Sequence, residues 1–310
     1  AGYIYLTRYC ASIHIEFFKK LEYLRKNIIN NQKKRLFTFG CSHTCYYWPT
    51  WADMISLEYK DYYNFGQPGT DNLSILNKLI RANDYFKITK DDTVLIMLTS
   101  WDRIDYYDDL AGWNGIGGIT GDGVEEIYGR KFIENHMENY DYQIEKTYTI
   151  LKSIKLILDS IGCKYRIKNA FSTEGNCNGS EILFKKSYKN TLLEIKKICD
   201  GFESLYEAGK DSETYWINNE KKGKLEPDGH CTIKRHLEFC KENFSDFYND
   251  KWDDKILQSE KLIVNNIKQS EMAEIFKPIR YFFINHICYH HYWPTPEAIP
   301  EKSTLEKRTI

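Results

Sequence analysis

DDTVLIMLTS, residues 91–100, constrains this chain more than any other stretch. Val94 to Leu98 form an unbroken apolar run between an acidic turn and a pair of hydroxyl residues. Such a run, bounded by turn signals, predicts a strand covered on both faces. It is too short to cross a membrane. A strand with no wet face belongs inside a parallel sheet, and a parallel sheet carries helices on both sides.

The rest of the chain fits that requirement. Leu36 to Phe39 predicts a strand, and Tyr62 to Phe65 a second one. Pro49 suits a helix N1 position, where its missing N–H costs nothing, and Trp51 to Tyr59 continue as a helix. Leu73 to Tyr85 predicts the next helix. A long amphipathic helix follows from Lys131 to Ile161, with room for one break. Cys163 to Ile167 is a fourth strand, Leu192 to Cys199 a helix, and Ile233 to Phe247 another, whereas residues 202–229 are polar and rich in turns. The order implies a three-layer α/β/α sandwich around a central parallel sheet, of flavodoxin-like type. Ahead of it, residues 13–30 place Ile15, Phe18, Leu21, Leu24 and Ile28 at helical spacing. The expected organisation is an N-terminal helical segment (1–34), the α/β/α domain (35–247) and a C-terminal helical and extended addition (248–310).

Charge narrows the partners. Basic and acidic residues number 43 and 44, for a net charge of -1, which argues against a general nucleic-acid binder. The nine cysteines are odd in number and contain no CxxC pair, so a reducing compartment fits better than a disulfide framework. The opening residues lack a basic region ahead of their apolar ones. A cytoplasmic protein without a membrane span is the expectation, with a virion or secreted destination by another route left open.

In parallel α/β sheets, ligand sites lie at the carboxyl ends of the strands. Ser42, the Gly66-Gln67-Pro68-Gly69 turn and Thr99-Ser100 all fall at such ends. Acyl transfer by a serine needs a base for its proton, a group to orient the base, and N–H donors for the developing oxyanion. Ser42 sits in a turn after a strand. Gly69 has no side chain to keep a ligand from its N–H. Asp228-Gly229-His230 supplies a carboxylate and an imidazole two positions apart, which point the same way in an extended segment.

This order resembles the SGNH hydrolases, also called GDSL-type esterases and acyltransferases. Their first block, Gly-Asp-Ser after a strand, is matched by Phe39-Gly40-Cys41-Ser42, and the second by Asn64-Phe65-Gly66-Gln67-Pro68-Gly69. The third is matched in place alone by Thr99-Ser100-Trp101-Asp102, and the fifth by Asp228-Gly229-His230-Cys231-Thr232. The likeness spans about residues 35 to 247 and implies Ser42 as nucleophile, His230 as base and Asp228 as its orienting group. It further implies the N–H groups of Ser42 and Gly69 as oxyanion donors, with Ser100 assisting. Cys41 replaces the first-block Asp. Trp101 stands where the family has an Asn whose amide binds the oxyanion, a loss of about 3 kcal/mol in the barrier. One residue separates Asp228 from His230, where the family usually has two.

Other signals keep two readings each. Asp102 and Arg103 form a solvated ion pair or bind an anionic substrate group. Trp48, Trp51 and Trp101 stack on a sugar ring or pack in the core; 24 Tyr and 7 Trp suit either use. His286, Cys288, His290 and His291 are metal-ligand types without a second cluster, so no metal site is expected. Tyr47 to Thr50 and Tyr292 to Thr295 share the letters YWPT without amounting to a repeat. The glycine-rich segment from Gly112 to Gly123 lacks the directly preceding strand of a dinucleotide site and is read as a mobile flap over the site. The expected function is a serine esterase on an O-acylated, chiefly O-acetylated, carbohydrate or small-molecule ester, requiring no cofactor. Its rivals are a non-catalytic glycan-binding or assembly protein, which would use the C-terminal addition to dock a protein partner, and an O-acyltransferase.

Overall fold

The computed structural model describes residues 33–108, 112–118, 122–137, 140–171, 188–199, 204–206, 214–219 and 224–266. The helix expected over 13–30, the second YWPT, the His286–His291 cluster and the terminal tail lie outside them. The chain runs β1 (Lys33–Gly40), α1 (Trp51–Ser56), β2 (Tyr59–Gly66), α2 (Asn72–Phe86) and β3 (Thr93–Leu98). It continues through β4 (Arg103–Asp108), β5 (Gly112–Gly118), α3 (Asp122–Tyr128), α4 (Arg130–Met137), α5 (Tyr140–Ile161) and β6 (Lys164–Phe171). Last come α6 (Tyr188–Ile198), β7 (Ser204–Tyr206), β8 (Thr214–Asn219), β9 (Lys224–Cys231), α7 (Ile233–Asn243) and α8 (Asp253–Asn266).

Five strands make one parallel sheet in the order β2-β1-β3-β6-β7, so the fold is a three-layer α/β/α sandwich. The run in β3 is buried throughout and splits between two cores. Val94, Ile96 and Leu98 face α2, α5 and α6 through Ile75, Leu79, Leu151, Ile154, Leu158 and Ile195. Leu95 and Met97 face the opposite layer with Trp51, Met54, Leu237, Phe239 and Phe244 of α1 and α7. Tyr248 and Ile256, beyond α7, join this second core. Period-2 alternation inside a sheet covered on both faces makes every residue of the run apolar. At the amino ends of the strands, Arg35 grips Asp92 through Nε (2.9 Å) and Nη2 (2.6 Å). Among the described residues, no helix is long and apolar enough to cross a membrane.

Four local expectations differ from the structure. The helix from Trp51 stops at Ser56, because Tyr59 already pairs with Lys33 in β2 and both Tyr59 and Tyr62 are buried under the sheet. Pro49 is not its first residue. Thr50 caps the helix, held by the Asp53 carboxylate, which accepts from the Thr50 N–H at 2.9 Å. The first part of the glycine-rich segment read as a flap, Gly112–Gly118, is strand β5, which pairs antiparallel with β4, a hairpin that sequence reading missed. Within the polar stretch 202–229 lie β7, β8 and most of β9, and the last two form a second antiparallel hairpin.

Candidate active site

The topology crosses over between β1 and β3, the switch point where open α/β sheets bind ligands. At the end of β1 a side chain on Gly40 would lie 2.0 Å from Thr44 Oγ1 and 2.9 Å from Met97 O, so the chain passes there only as glycine. It then curls tightly, with Thr44 N–H (2.9 Å) and Cys45 N–H (3.3 Å) both donating to Cys41 O. Cys41 packs wholly buried in the α1/α7 core. Ser42 is the next residue, 5% exposed.

His230 reaches this turn from the far end of the chain. In β8 and β9, Thr214 pairs with Cys231 but Trp216 pairs with Pro227, so extra residues of β9 bulge out at 228–230. Gly229 takes the left-handed conformation (φ 84°) that glycine tolerates, and its N–H donates to Thr214 Oγ1 at 3.1 Å. The bulge brings Asp228 Oδ1 to 2.6 Å from His230 Nδ1. Regular extension alone does not make this contact; the bulge does.

Residues 43–48 then wrap the imidazole. Tyr46 stacks on it with ring centroids 3.7 Å apart and planes 22° apart, while its hydroxyl donates to Asp228 Oδ2 at 2.8 Å. Burial and the Asp228 charge both raise the Tyr46 pKa, so the phenol stays a donor. The His43 ring centroid is 5.1 Å from that of His230, and Trp48 Nε1 donates to Cys231 O at 2.9 Å. Burial, then the neighbouring His230, His236 and Arg103, push the His43 pKa well below the ordinary range. Burial also brings His236 to about 3, and its Nδ1 accepts the Trp51 N–H at 3.3 Å. Among the described residues, no hydrogen bond joins the Ser42 hydroxyl to either nitrogen of His230. What lies beside the imidazole is His43, the residue that follows Ser42.

The second turn is braced against the first. Asn64 donates to Thr44 O at 2.9 Å and accepts from the Gly66 N–H at 2.9 Å, and the Gln67 N–H donates to Gly40 O at 3.0 Å. Gly69 is left-handed (φ 75°). The β4–β5 hairpin lies directly on it: a Cβ on Gly115 would be 2.6 Å from Pro68 O, Gly69 C and Thr70 N. Backbone against backbone at this distance is why position 115 is glycine.

The third strand end behaves differently. Asn72 binds Thr99 both ways, accepting from its N–H (2.9 Å) and donating to its carbonyl (3.2 Å). The Ser100 hydroxyl donates to Asp102, and Trp101 is buried in the α2/α5 core. Trp48 and Trp51 are fully buried, so none of these three indoles offers an open stacking face. Nor does Asp102 pair with Arg103. That guanidinium lies over the Phe171 ring at 5.1 Å and donates to Thr70 O at 3.5 Å.

A polar cluster beneath the Gly69 turn escaped sequence reading, since its members are scattered and have ordinary spacing. Thr70 Oγ1 donates to Asp105 Oδ2 at 3.0 Å, Lys78 Nζ to Gln67 Oε1, and Lys146 stands 3.9 Å from Asp71. Burial, and then the charge of Asp71, push Asp105 up to about 7; desolvation brings Lys78 down to about 8. Folded protein therefore binds more protons at Asp105 than unfolded protein between about pH 4 and 7, and this site loses stability as pH rises through that window. Asp105→Asn should raise the urea midpoint at pH 8 and raise it much less at pH 4.5. An equal gain at both pH values would contradict the assignment. His43 and His236 act oppositely: held neutral, they cost stability as pH falls below about 6.5.

No family model matches the chain, and no curated protein matches it. Among solved structures it is similar to the YxiM protein of Bacillus subtilis, at 14% identity and a TM-score of 0.29. The similarity covers 57% of this chain and 44% of the other, so the chain spans less than half of that structure's length.

Proposed function

We propose that the chain is a serine esterase of SGNH type, acting on an O-acylated carbohydrate or a related small ester. The observation that most supports this is the Tyr46–Asp228–His230 cluster, packed against residues that directly follow Ser42. In this reading Ser42 Oγ attacks the acyl carbonyl while His230 Nε2 takes its proton. Asp228 holds the Nδ1–H tautomer and stabilises the imidazolium that forms. The N–H groups of Ser42 and Gly69 take the charge on the carbonyl oxygen. His230 returns the proton to the leaving alkoxide, and water then repeats the cycle on the acyl-enzyme. An acceptor alcohol in place of water would make the same site an O-acyltransferase. A fluorophosphonate probe should label wild type and leave Ser42→Ala unlabelled. Equal labelling of both would end the nucleophile assignment.

Tyr46 enters as a positioning residue. Tyr46→Phe keeps the ring stack and removes the bond to Asp228, so kcat on 4-nitrophenyl acetate should fall roughly tenfold with KM little changed. Tyr46→Leu, which loses the stack as well, should fall further. Full kcat in Tyr46→Phe would show that the hydroxyl does not hold the dyad.

A non-catalytic ligand-binding protein on the same fold is the second reading. It is favoured by the Ser100 hydroxyl, which is engaged with Asp102, and by the buried Trp101 where the family places its amide donor. Turnover of 4-nitrophenyl acetate that disappears in His230→Ala separates the two.

A further inference from the structure

We propose that Arg103 is an anion subsite, so that the ester bound here carries a carboxylate or phosphate a few bonds from its scissile carbonyl. This rests on the esterase reading above and names its substrate class.

Position is the first argument. Arg103 opens β4 immediately after the third strand end, and its guanidinium reaches Thr70, the residue after Gly69. It covers Phe171, whose ring centroid is 5.1 Å from that of His43, which in turn is 5.1 Å from that of His230. A ligand placed between Gly69 and His230 therefore lies beside this cation.

Pairing is the second. Arg35, Arg130, Arg166 and Arg235 each have a carboxylate partner, Asp92, Glu125, Asp246 and Glu242, and Arg81 on α2 donates to the Asn77 side-chain oxygen at 3.0 Å instead. Arg103 has no carboxylate partner among the described residues. The two acids nearest in its own segment are engaged elsewhere. Asp102 accepts from Ser100, and Asp105 accepts from Thr70 and stands beside Asp71. A half-buried guanidinium whose single hydrogen bond among the described residues is a 3.5 Å contact keeps most of its donor fork unused there.

Geometry is the third. The Phe171 ring 5.1 Å from the guanidinium carbon steadies the group by a cation–π contact that uses none of its N–H donors. A guanidinium with donors to spare suits bidentate capture of a planar carboxylate or of two phosphate oxygens. His43, close by, stays neutral and cannot substitute for this charge. Acyl groups ending in a carboxylate, O-acylated uronic acids and sugar phosphates bearing an O-acyl group all satisfy the requirement.

The test compares 4-nitrophenyl acetate with the 4-nitrophenyl hemiester of succinate. Wild type should prefer the hemiester. Arg103→Gln should lower the ratio of kcat/KM values, anionic over neutral, by roughly ten- to a hundredfold, and Arg103→Lys should restore part of it. An unchanged ratio in Arg103→Gln overturns the proposal. A second arm needs no turnover: monomethyl succinate and methyl phosphate are titrated separately into Ser42→Ala while the Arg103 Nε–H resonance is followed. A saturable shift that weakens with added salt supports the subsite, and the anion that saturates first identifies the group. No shift with either anion overturns it. If wild type hydrolyses neither ester, the esterase reading fails, and the titration still decides the subsite.

Discussion

Ser42→Ala is expected to lower kcat on 4-nitrophenyl acetate by about four orders of magnitude or more, with little change in stability. The two halves of this result have separate causes. Among the described residues the hydroxyl makes no hydrogen bond, so its loss removes one nearly buried oxygen and breaks none of their hydrogen bonds. Catalysis as proposed, in contrast, loses the atom that would form the acyl bond. His230→Ala should cost a similar factor, because a serine without its base is a poor nucleophile at neutral pH. The double variant should be scarcely worse than either single one, since groups that act as a unit fail together. Initial rates for the three variants, with melting curves recorded alongside, check this. Retention of a tenth of the activity in Ser42→Ala, or effects that multiply in the double variant, would remove the serine from the reaction.

The largest effect on folding should come from Trp51→Ala, at about 3–5 kcal/mol. Trp51 is fully buried as the first residue of α1 and stacks on Phe244 with centroids 5.0 Å and planes 9° apart. Its truncation opens a cavity between α1, α7 and the sheet, in the layer that carries residues 43–48 and His236. A loss of that size is a large share of the roughly 5–15 kcal/mol that stabilises a typical domain. Trp51→Phe should cost far less than its lost area implies. The indole N–H is buried without a hydrogen-bond partner among the described residues, so phenylalanine also removes an unsatisfied donor. Urea unfolding at pH 7 measures both variants. A Trp51→Ala cost below about 1 kcal/mol would mean that the two layers repack freely, contrary to the close packing expected of a core.

Much of the sheet was legible because its strands are short apolar runs between turn signals. Val94 to Leu98 alone specified a strand with helices on both sides. The hairpins were not legible. Gly112–Gly118 holds four glycines and lacks the β-branched texture of a strand, and the one at 115 is required by its close approach to the Gly69 turn. Lys224–Cys231 contains Pro227 and Gly229, ordinary marks of a turn, and both are tolerated because the strand bulges there. Within the site, Ser42, Asp228 and His230 stood out through residue type and spacing. Tyr46 did not, because its meaning lies in a stack and a hydrogen bond to residues more than 180 positions away. The tryptophans misled by chemistry: an indole suits a sugar or a core equally, and only packing decides.

Gly115 against Pro68–Thr70 has a practical consequence. With backbone meeting backbone, the hairpin and the turn share a single surface that no rotamer change can adjust. Loop exchange between this chain and another scaffold must therefore move the two as one cassette. Transplanting either alone would leave a void where the other belonged, or drive two peptide planes into each other.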